Sequence, residues 1–339
     1  MSQYIHAMTL GDIFDRTFKM FGKTYKKNLM VALVLLVPPM LLMFLCMLFV
    51  ASTVSGMMDT FVNMDSDFDG DQFLTEILPG IIFPLILAYL LMIVSAFTTI
   101  WAYISLMFVV GREMEENPVE WKEALSLGWK RIWRGIGFTI LYIGALMAMF
   151  MVPYILAIIG VAADSTAIAI IGMLIVFLAF IPMIWLSVRW MFGYNSIASE
   201  NTGVIEAFKR SSALVQGKWW RTFGIYMLWS IIVGFAVSLI ITPIAFVGII
   251  GPYIDLISSM TANTEPDPTT IIGLINGLVV GYGLAISLAV ILDVITEPVY
   301  MTVMYYDLRA RSGEFDEPEV SPELPGTDPD AAGFQNTPV

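Results

Sequence analysis

An acidic segment with the ligand spacing of a calcium-binding loop occupies residues 65–76. It reads DSDFDGDQFLTE and satisfies the pattern D-x-D-x-D-G-x₅-E, in which oxygen ligands surround the ion and a glycine permits a sharp turn. Gln72 departs from the pattern, because an aliphatic residue usually occupies that position. The residues therefore fit either a weak calcium site or a solvated acidic loop. The candidate calcium ligands are Asp65, Asp67, Asp69, Asp71 and Glu76.

A second pair of acids, Asp293 and Glu297, lies at the end of a long apolar stretch. Four residues separate them, so a helix places both carboxylates on one face, one turn apart. Charged groups in a membrane are costly, and they either pair with a cation or mark an ion or proton site. Pairing with Arg189, or with Arg309 and Arg311, is the favoured interpretation, and an ion or proton site is the alternative.

The composition excludes several kinds of chemistry. The sequence contains one cysteine and one histidine, Cys46 and His6, which excludes an internal disulfide, a cysteine-built zinc site and most histidine-based catalytic arrangements. We expect no cofactor apart from the candidate calcium ion. The net charge of −12 argues against nucleic-acid binding, which requires a basic surface.

The elements that must position these residues are membrane-spanning helices. Of the 339 residues 58% are hydrophobic and 14% are charged, whereas soluble domains are about 45–50% apolar and about 25% charged. A helix needs about 20 apolar residues to cross a hydrocarbon core of about 30 Å. The sequence predicts an all-α integral membrane protein with six spans, at residues 29–55, 81–110, 135–161, 167–188, 222–250 and 271–296.

The distribution of charge predicts the orientation of these spans. All 17 basic residues lie before the first span, after the second, after the fourth or after the sixth. The three alternate loops contain acids and no basic residue. Because basic loops stay on the cytoplasmic side, both termini are predicted to be cytoplasmic.

Three amphipathic segments precede the first, third and fifth spans. Residues 9–27 combine a basic face with an aromatic apolar face, which is typical of a helix in the membrane interface or packed on the ends of the spans. A second segment begins at Asn117 and Pro118, which suit the cap and first position of a helix, and a third begins near Ile205. These predict three cytoplasmic interfacial helices and a threefold parallel internal repeat. The residues expected at the lipid interface are Lys19, Lys23, Lys26, Lys27, Trp121, Trp129, Trp133, Trp219 and Trp220.

The chain divides into three predicted parts. Residues 1–28 form the N-terminal amphipathic interfacial helix, residues 29–311 the six-span membrane domain, and residues 312–339 an acidic, proline-rich tail predicted to be disordered. Small residues at four-residue intervals in the sixth span predict close helix packing, either inside the bundle or in a homo-oligomer. They are Gly273, Gly277, Gly281, Ala285 and Ala289.

Two stretches resemble a known family. They are RWMFGYNSIASENTGVIEAFKRSSALVQGKWWRTFGI, residues 189–225, and YYDLRARSGEFD, residues 305–316. Both resemble the membrane domain found with bacterial glycerophosphodiester phosphodiesterases, and related six-span inner-membrane proteins of unknown role. The resemblance implies the bacterial cytoplasmic (inner) membrane. It implies no enzymatic activity, because the phosphodiesterase reaction belongs to a separate soluble barrel that uses histidines and metal-binding acids.

Two functions follow from these features. The first hypothesis is a non-enzymatic module that organises membrane lipids, or a partner protein, at the cytoplasmic face. The alternative is a transporter or channel for a small or amphiphilic solute, working through Asp293 and Glu297. A polar cavity that reaches Asp293 would favour transport, whereas a dry bundle with a basic aromatic shelf would favour the scaffold.

Overall fold

The computed structural model describes residues 5–62, 78–262 and 268–315, and this part of the chain consists of helices and turns with no strand. Five helices are long and apolar enough to cross a bilayer, and a bent pair at the N-terminus provides a sixth candidate span. The fold fits an all-α, multi-pass membrane protein. The described helices are α1 (Leu10–Leu35), α2 (Val37–Val62), α3 (Leu78–Met114), α4 (Trp121–Ala162), α5 (Thr166–Trp190), α6 (Gly193–Glu200), α7 (Val204–Val215), α8 (Trp219–Val247), α9 (Ile250–Thr261) and α10 (Pro268–Arg311).

The N-terminal amphipathic segment forms a helix, but this helix does not end before the first span. α1 begins at a capping box, in which Thr9 and Asp12 satisfy each other's backbone N–H groups. It passes residue 28 without a break and ends at Leu35, where the chain bends by 45° into α2. Pro38 and Pro39 follow the bend, and because proline has no N–H to bond one turn back, α1 cannot continue through them.

One face of α1 is buried in the bundle. Ile13, Thr17, Met20 and Thr24 lie at intervals of three or four residues and are all buried, and the helix packs mainly on α3 and α10. Packing on the ends of the spans was one of the two predicted environments of this segment. Phe18 remains more than half exposed on the other side of the helix.

The second amphipathic segment is not a separate helix. α4 starts at Trp121 after the cap residue Glu120, so Asn117 and Pro118 precede the helix instead of starting it. The helix then runs for 42 residues without a break, or about 63 Å at 1.5 Å per residue, about twice the thickness of a hydrocarbon core. Glycines in this segment allow α3 to approach: a Cβ on Gly128 would lie 2.1 Å from the hydroxyl oxygen of Ser105.

The third amphipathic segment is a separate helix, α7, as predicted. The chain leaves it through Gly217, whose φ of 74° is a conformation that glycine adopts readily. Two short helices were not predicted. α6 precedes α7, and α9 follows α8 at the opposite end of the bundle. α8 correspondingly ends at Val247, three residues before the predicted end of the fifth span.

α10 lies at the centre of the bundle. It packs mainly on α1, α2, α3, α8 and α9, whereas the hairpin of α4 and α5 is attached to the bundle mainly through α3. The small residues of α10 face neighbouring helices of the same chain: a Cβ on Gly281 would lie 2.3 Å from the carbonyl oxygen of Ala245, and Gly277 meets Gly248 even more closely. The predicted packing inside the bundle is therefore confirmed.

The three amphipathic segments connect differently to the spans that follow them. α1 continues into a bend, the start of α4 continues straight into its span, and α7 is separated from α8 by a turn. The threefold repeat thus stays a prediction.

Candidate functional site

Asp293 and Glu297 share one hydrogen-bond donor from another helix. Both acids project from α10, one turn apart, within a stretch apolar enough to cross a membrane. The hydroxyl of Tyr103 on α3 donates to Asp293 Oδ2 at 3.1 Å and makes a shorter hydrogen bond to Glu297 Oε2. Two carboxylates therefore meet at a single phenol.

No cation neutralises this pair among the ion pairs of residues 5–62, 78–262 and 268–315. The predicted partners are engaged elsewhere: Arg309 lies 2.9 Å from Glu314, and Arg311 lies 3.1 Å from Asp307. Arg189 instead lies over an aromatic ring. The predicted ion pairs with Asp293 and Glu297 are therefore wrong. Arg309 lies twelve residues beyond Glu297 on the same helix, a separation of about 18 Å along the axis, which is beyond the reach of an arginine side chain.

Two cavities meet at Glu297, and together we call them the acidic cleft. The first, of about 210 Å³, is enclosed by side chains of α3 to α6, α8 and α10. The second, of about 380 Å³, lies between α8 and α10 and reaches Asp293. Tyr226 and Glu297 line both cavities. The cleft forms because α5 and α8 contact each other little, so the α4–α5 hairpin leaves a gap beside α8 and α10.

The walls of the acidic cleft are largely aromatic. Tyr194 packs edge-on against Phe138 at 5.1 Å between ring centroids, and Trp229 stacks on Tyr300 at 4.8 Å. Aromatic faces and carboxylates both attract cations. The cleft thus has the chemistry to hold an organic cation with an apolar body. The aromatic wall residues are Tyr103, Phe138, Tyr142, Trp190, Tyr194, Tyr226 and Trp229.

A contrasting acid, Asp307, lies near the C-terminal end of the same helix and is fully neutralised. Its side chain is completely buried. It accepts from Arg221 at 2.6 Å, from Arg311 at 3.1 Å and from the backbone N–H of Met8 at 2.7 Å. These bonds tie the N-terminal segment, the start of α8 and the end of α10 together. We call this part of the bundle, where α5 and α10 end and α4 and α8 begin, the basic end.

A second network at the basic end centres on Glu200, the last residue of α6. Arg210 of α7 donates to both of its carboxylate oxygens, at 2.8 and 2.7 Å. Arg210 and Arg309 also donate to Glu314, beyond the end of α10. Partial burial tends to raise the pKa of Glu314, but these hydrogen bonds outweigh it and hold the pKa at about 2. The predicted disorder from residue 312 onward therefore does not apply to Glu314.

The residues that carry the family resemblance meet in these two networks. Glu200, Arg210 and Arg309 form one of them, and Arg221 and Asp307 belong to the other. These residues lie in the two stretches 189–225 and 305–316, and no pattern in the sequence indicates the contacts between them. Their role in the structure is to join the ends of the helices.

The residues expected at the lipid interface lie in different surroundings. Trp133 and Trp220 are 72% and 78% exposed, whereas the indole N–H of Trp219 donates to a backbone carbonyl of α5. Lys19 pairs with Asp15 at 2.7 Å within α1. Lys27 is half-buried, 3.7 Å from a carboxylate of Glu113. The remaining four residues are half-buried or exposed: Lys23, Lys26, Trp121 and Trp129.

The candidate calcium loop, residues 65–76, is a separate part of the chain from these sites. Asp65, Asp67, Asp69, Asp71 and Glu76 all lie outside the described residues. Within the described residues, no group of three or more histidine, cysteine or acidic side chains is arranged to hold a metal ion. The calcium loop stays a prediction.

Comparison with known proteins gives one match. The family described as "Domain of unknown function (DUF7847)" matches residues 124–294, half of the chain. The matched range extends from α4 to the Asp293 turn of α10 and contains most of the wall of the acidic cleft, while Asp307 lies beyond it. No curated protein and no solved structure matches the chain.

Proposed function

The chain belongs to the DUF7847 family, and we propose that it is a transporter-type membrane protein that binds a cationic amphiphile in the acidic cleft. The observation that carries this proposal is the pair of carboxylates, Asp293 and Glu297, which meets two cavities and has no neutralising cation in the described part of the chain. Glu297 is half-buried and Asp293 is exposed on the surface of the protein. Within a bilayer an uncompensated carboxylate is costly, and a bound cation removes that cost.

The shape of the acidic cleft supports a ligand with an apolar body. Its larger cavity, about 380 Å³, falls within the range of about 300–1,000 Å³ that is usual for small-molecule sites. Seven aromatic side chains line the cleft, so a flat or branched apolar group finds ring faces on several sides. A small hydrated metal ion would use little of this surface.

The packing of the helices supports access from the bilayer. Because α5 and α8 contact each other little, the cleft is bordered by two helices whose outer faces carry exposed apolar residues. An amphiphile dissolved in the bilayer can then reach the acids laterally, with its cationic head entering the cleft and its tail remaining in lipid. The basic end would exclude the same cation by repulsion, which makes the lateral path the favoured one.

The scaffold hypothesis has a specific observation of its own. Trp133 and Trp220 present most of their indole surface, and indole rings favour the membrane interface. This surface is distinct from the acidic cleft, so lipid organisation is a second candidate function.

Binding of tetraphenylphosphonium, a rigid apolar cation, tests the first candidate. We expect the purified full-length protein in detergent to bind it saturably in equilibrium dialysis. Glu297→Gln and Asp293→Asn should each weaken binding by about tenfold or more, since each removes one charge from the cation's surroundings. Glu123→Gln is the matched control, because Glu123 is an exposed acid of α4 that lines neither cavity.

Two analogues of similar shape separate charge recognition from apolar partitioning. Neutral triphenylphosphine oxide should bind more weakly than tetraphenylphosphonium, and anionic tetraphenylborate should not compete for the site. Equal binding of all three compounds, or wild-type affinity in both acid variants, would refute the proposed cation site. Uptake of tetraphenylphosphonium by proteoliposomes then distinguishes transport from binding alone.

A further inference from the structure

Arg189 lies at the end of a membrane-spanning helix, where the part of the chain that the structure describes gives it no acidic partner. It lies in the last turn of α5 and is half-buried. Its guanidinium lies 4.8 Å from the ring centroid of Trp185, and none of the ion pairs in the described part of the chain includes it. A partly desolvated arginine without a counter-charge favours the binding of an anion.

Two cavities adjoin this arginine, and together we call them the Arg189 groove. Their volumes are about 270 and 430 Å³, and both are lined by Arg189, Ser212 and Gln216. The Ser212 hydroxyl and the Gln216 amide can donate hydrogen bonds to an oxyanion. Lys209 adds a second positive charge to the wall, and no acidic residue lines either cavity. The groove is thus complementary to a negative charge.

The position of the groove suits a lipid head group. α5 has 25 residues and extends about 37 Å, enough to cross a hydrocarbon core of about 30 Å. Its last turn therefore reaches the level of the head groups. Trp185 and Leu186, one turn earlier on the bilayer side, give the groove an apolar border.

We propose that the Arg189 groove binds the phosphate head group of an anionic phospholipid. The planar guanidinium matches two phosphate oxygens at once, and its contact with Trp185 keeps it oriented. The first turn of α8 borders the same groove through Trp219, so its unpaired N–H groups add positive potential. The apolar border accommodates the start of the acyl chains, which a free phosphate ion lacks. Trp190 lines both this groove and the acidic cleft, so the two sites share one wall, and the groove selects the opposite charge.

Thermal unfolding of the full-length protein in mixed micelles tests the proposal. We expect phosphatidylglycerol to raise the melting temperature of the wild type above its value in phosphatidylcholine, because a ligand of the folded state stabilises by mass action. Arg189→Gln should weaken the apparent affinity for phosphatidylglycerol by about tenfold. Arg189→Lys should retain part of it, since lysine keeps the charge but loses the planar fork.

Lys130→Gln is the control for a general effect of surface charge. Lys130 is an exposed base of α4 that lines neither cavity of the groove, and its loss changes the net charge by the same amount. An equal effect of Lys130→Gln and Arg189→Gln would overturn the proposal. Stabilisation of the wild type by millimolar inorganic phosphate to the same extent would also overturn it, because the occupant would then be a free anion. Ser212→Ala leaves the charge intact and should weaken lipid binding to a smaller degree.

Discussion

Two groups of acids on α10, a few helical turns apart, differ in the partners of their carboxylates. Asp307 is buried, yet two arginines and a backbone N–H satisfy its carboxylate. Asp293 and Glu297 accept from a tyrosine hydroxyl, and no ion pair of the described residues includes either of them. The difference arises from the neighbours that each level of α10 meets, because the basic ends of α8 and α10 surround Asp307 and uncharged spans surround the acidic pair.

This contrast separates two uses of the same side-chain chemistry. A buried acid with matched partners stabilises the fold only as long as every partner is present. An acid without a cation adds nothing comparable to stability, and its charge is available to a ligand. The two groups should therefore respond in opposite ways to removal of charge.

Asp307→Asn should have the largest effect on stability. The substitution leaves the guanidinium groups of Arg221 and Arg311 without their counter-charge, and loss of one member of a buried ion pair is destabilising by about 3–5 kcal/mol. We expect a clear fall in the melting temperature of the purified protein. Asp255→Asn, at an exposed position of α9, should change stability by less than about 0.5 kcal/mol. Similar melting temperatures for both variants would show that Asp307 does not stabilise the fold.

Gly277→Ala should have the second largest effect, because it disturbs the packing that holds α10 beside α8 and α9. An added Cβ would lie 1.9 Å from the carbonyl oxygen of Gly248, so the helices must separate, at about 1–3 kcal/mol for overpacking. Gly224→Ala on α8 meets no atom within 4 Å and should be neutral or stabilising by up to about 1 kcal/mol. If Gly277→Ala and Gly224→Ala change the melting temperature equally, α10 does not approach Gly248 as closely as the structure indicates.

Glu314 should contribute a smaller, pH-dependent part of the stability. Its pKa is about 2 in the folded protein, below its ordinary value of 4.5. A lowered pKa means that the contribution is complete above pH 4.5 and is lost as the pH falls towards 2. Because Glu314 is partly exposed, we expect no more than about 1 kcal/mol. Glu314→Gln should remove this part of the pH dependence, measured as the difference between the two unfolding curves; parallel curves over this range would show that Glu314 makes no such contribution.

The helical architecture was predictable because a long apolar run is a local signal. Each of the predicted spans has a counterpart among the candidate spans, with the bent pair of α1 and α2 as the first. Helix ends were less predictable. Nothing between the amphipathic and apolar parts of α4 stops a helix, so the sequence could not show whether two elements or one would form. The short helix α6 packs mainly on α3, which is distant in sequence, and α9 packs on α10, the next helix of the chain.

The acidic pair was predictable as well, but its surroundings were not. Charges in an apolar stretch stand out, and a spacing of four residues puts both on one helix face. Tyr103 lies 190 residues away in sequence from Asp293, and no local pattern connects them. Of the predicted arginine partners, Arg309 and Arg311 are close to the acids along the chain, whereas Arg189 is distant. Because α10 continues as a helix beyond Glu297, Arg309 lies several turns away from it and pairs with Glu200 and Glu314 instead.

The most direct measurement of the central claim is the melting temperature of three proteins with and without tetraphenylphosphonium. The wild type should be stabilised by the cation. Without ligand, Glu297→Gln should melt at or above the wild type, because it removes a costly charge, and it should gain almost nothing from the cation. Asp307→Asn should melt much lower and still be stabilised by the cation. If Asp307→Asn does not fold, Glu200→Gln replaces it. A Glu297→Gln variant that keeps the full shift, or that loses as much stability as Asp307→Asn, would contradict the assignment of the acidic pair as a cation site.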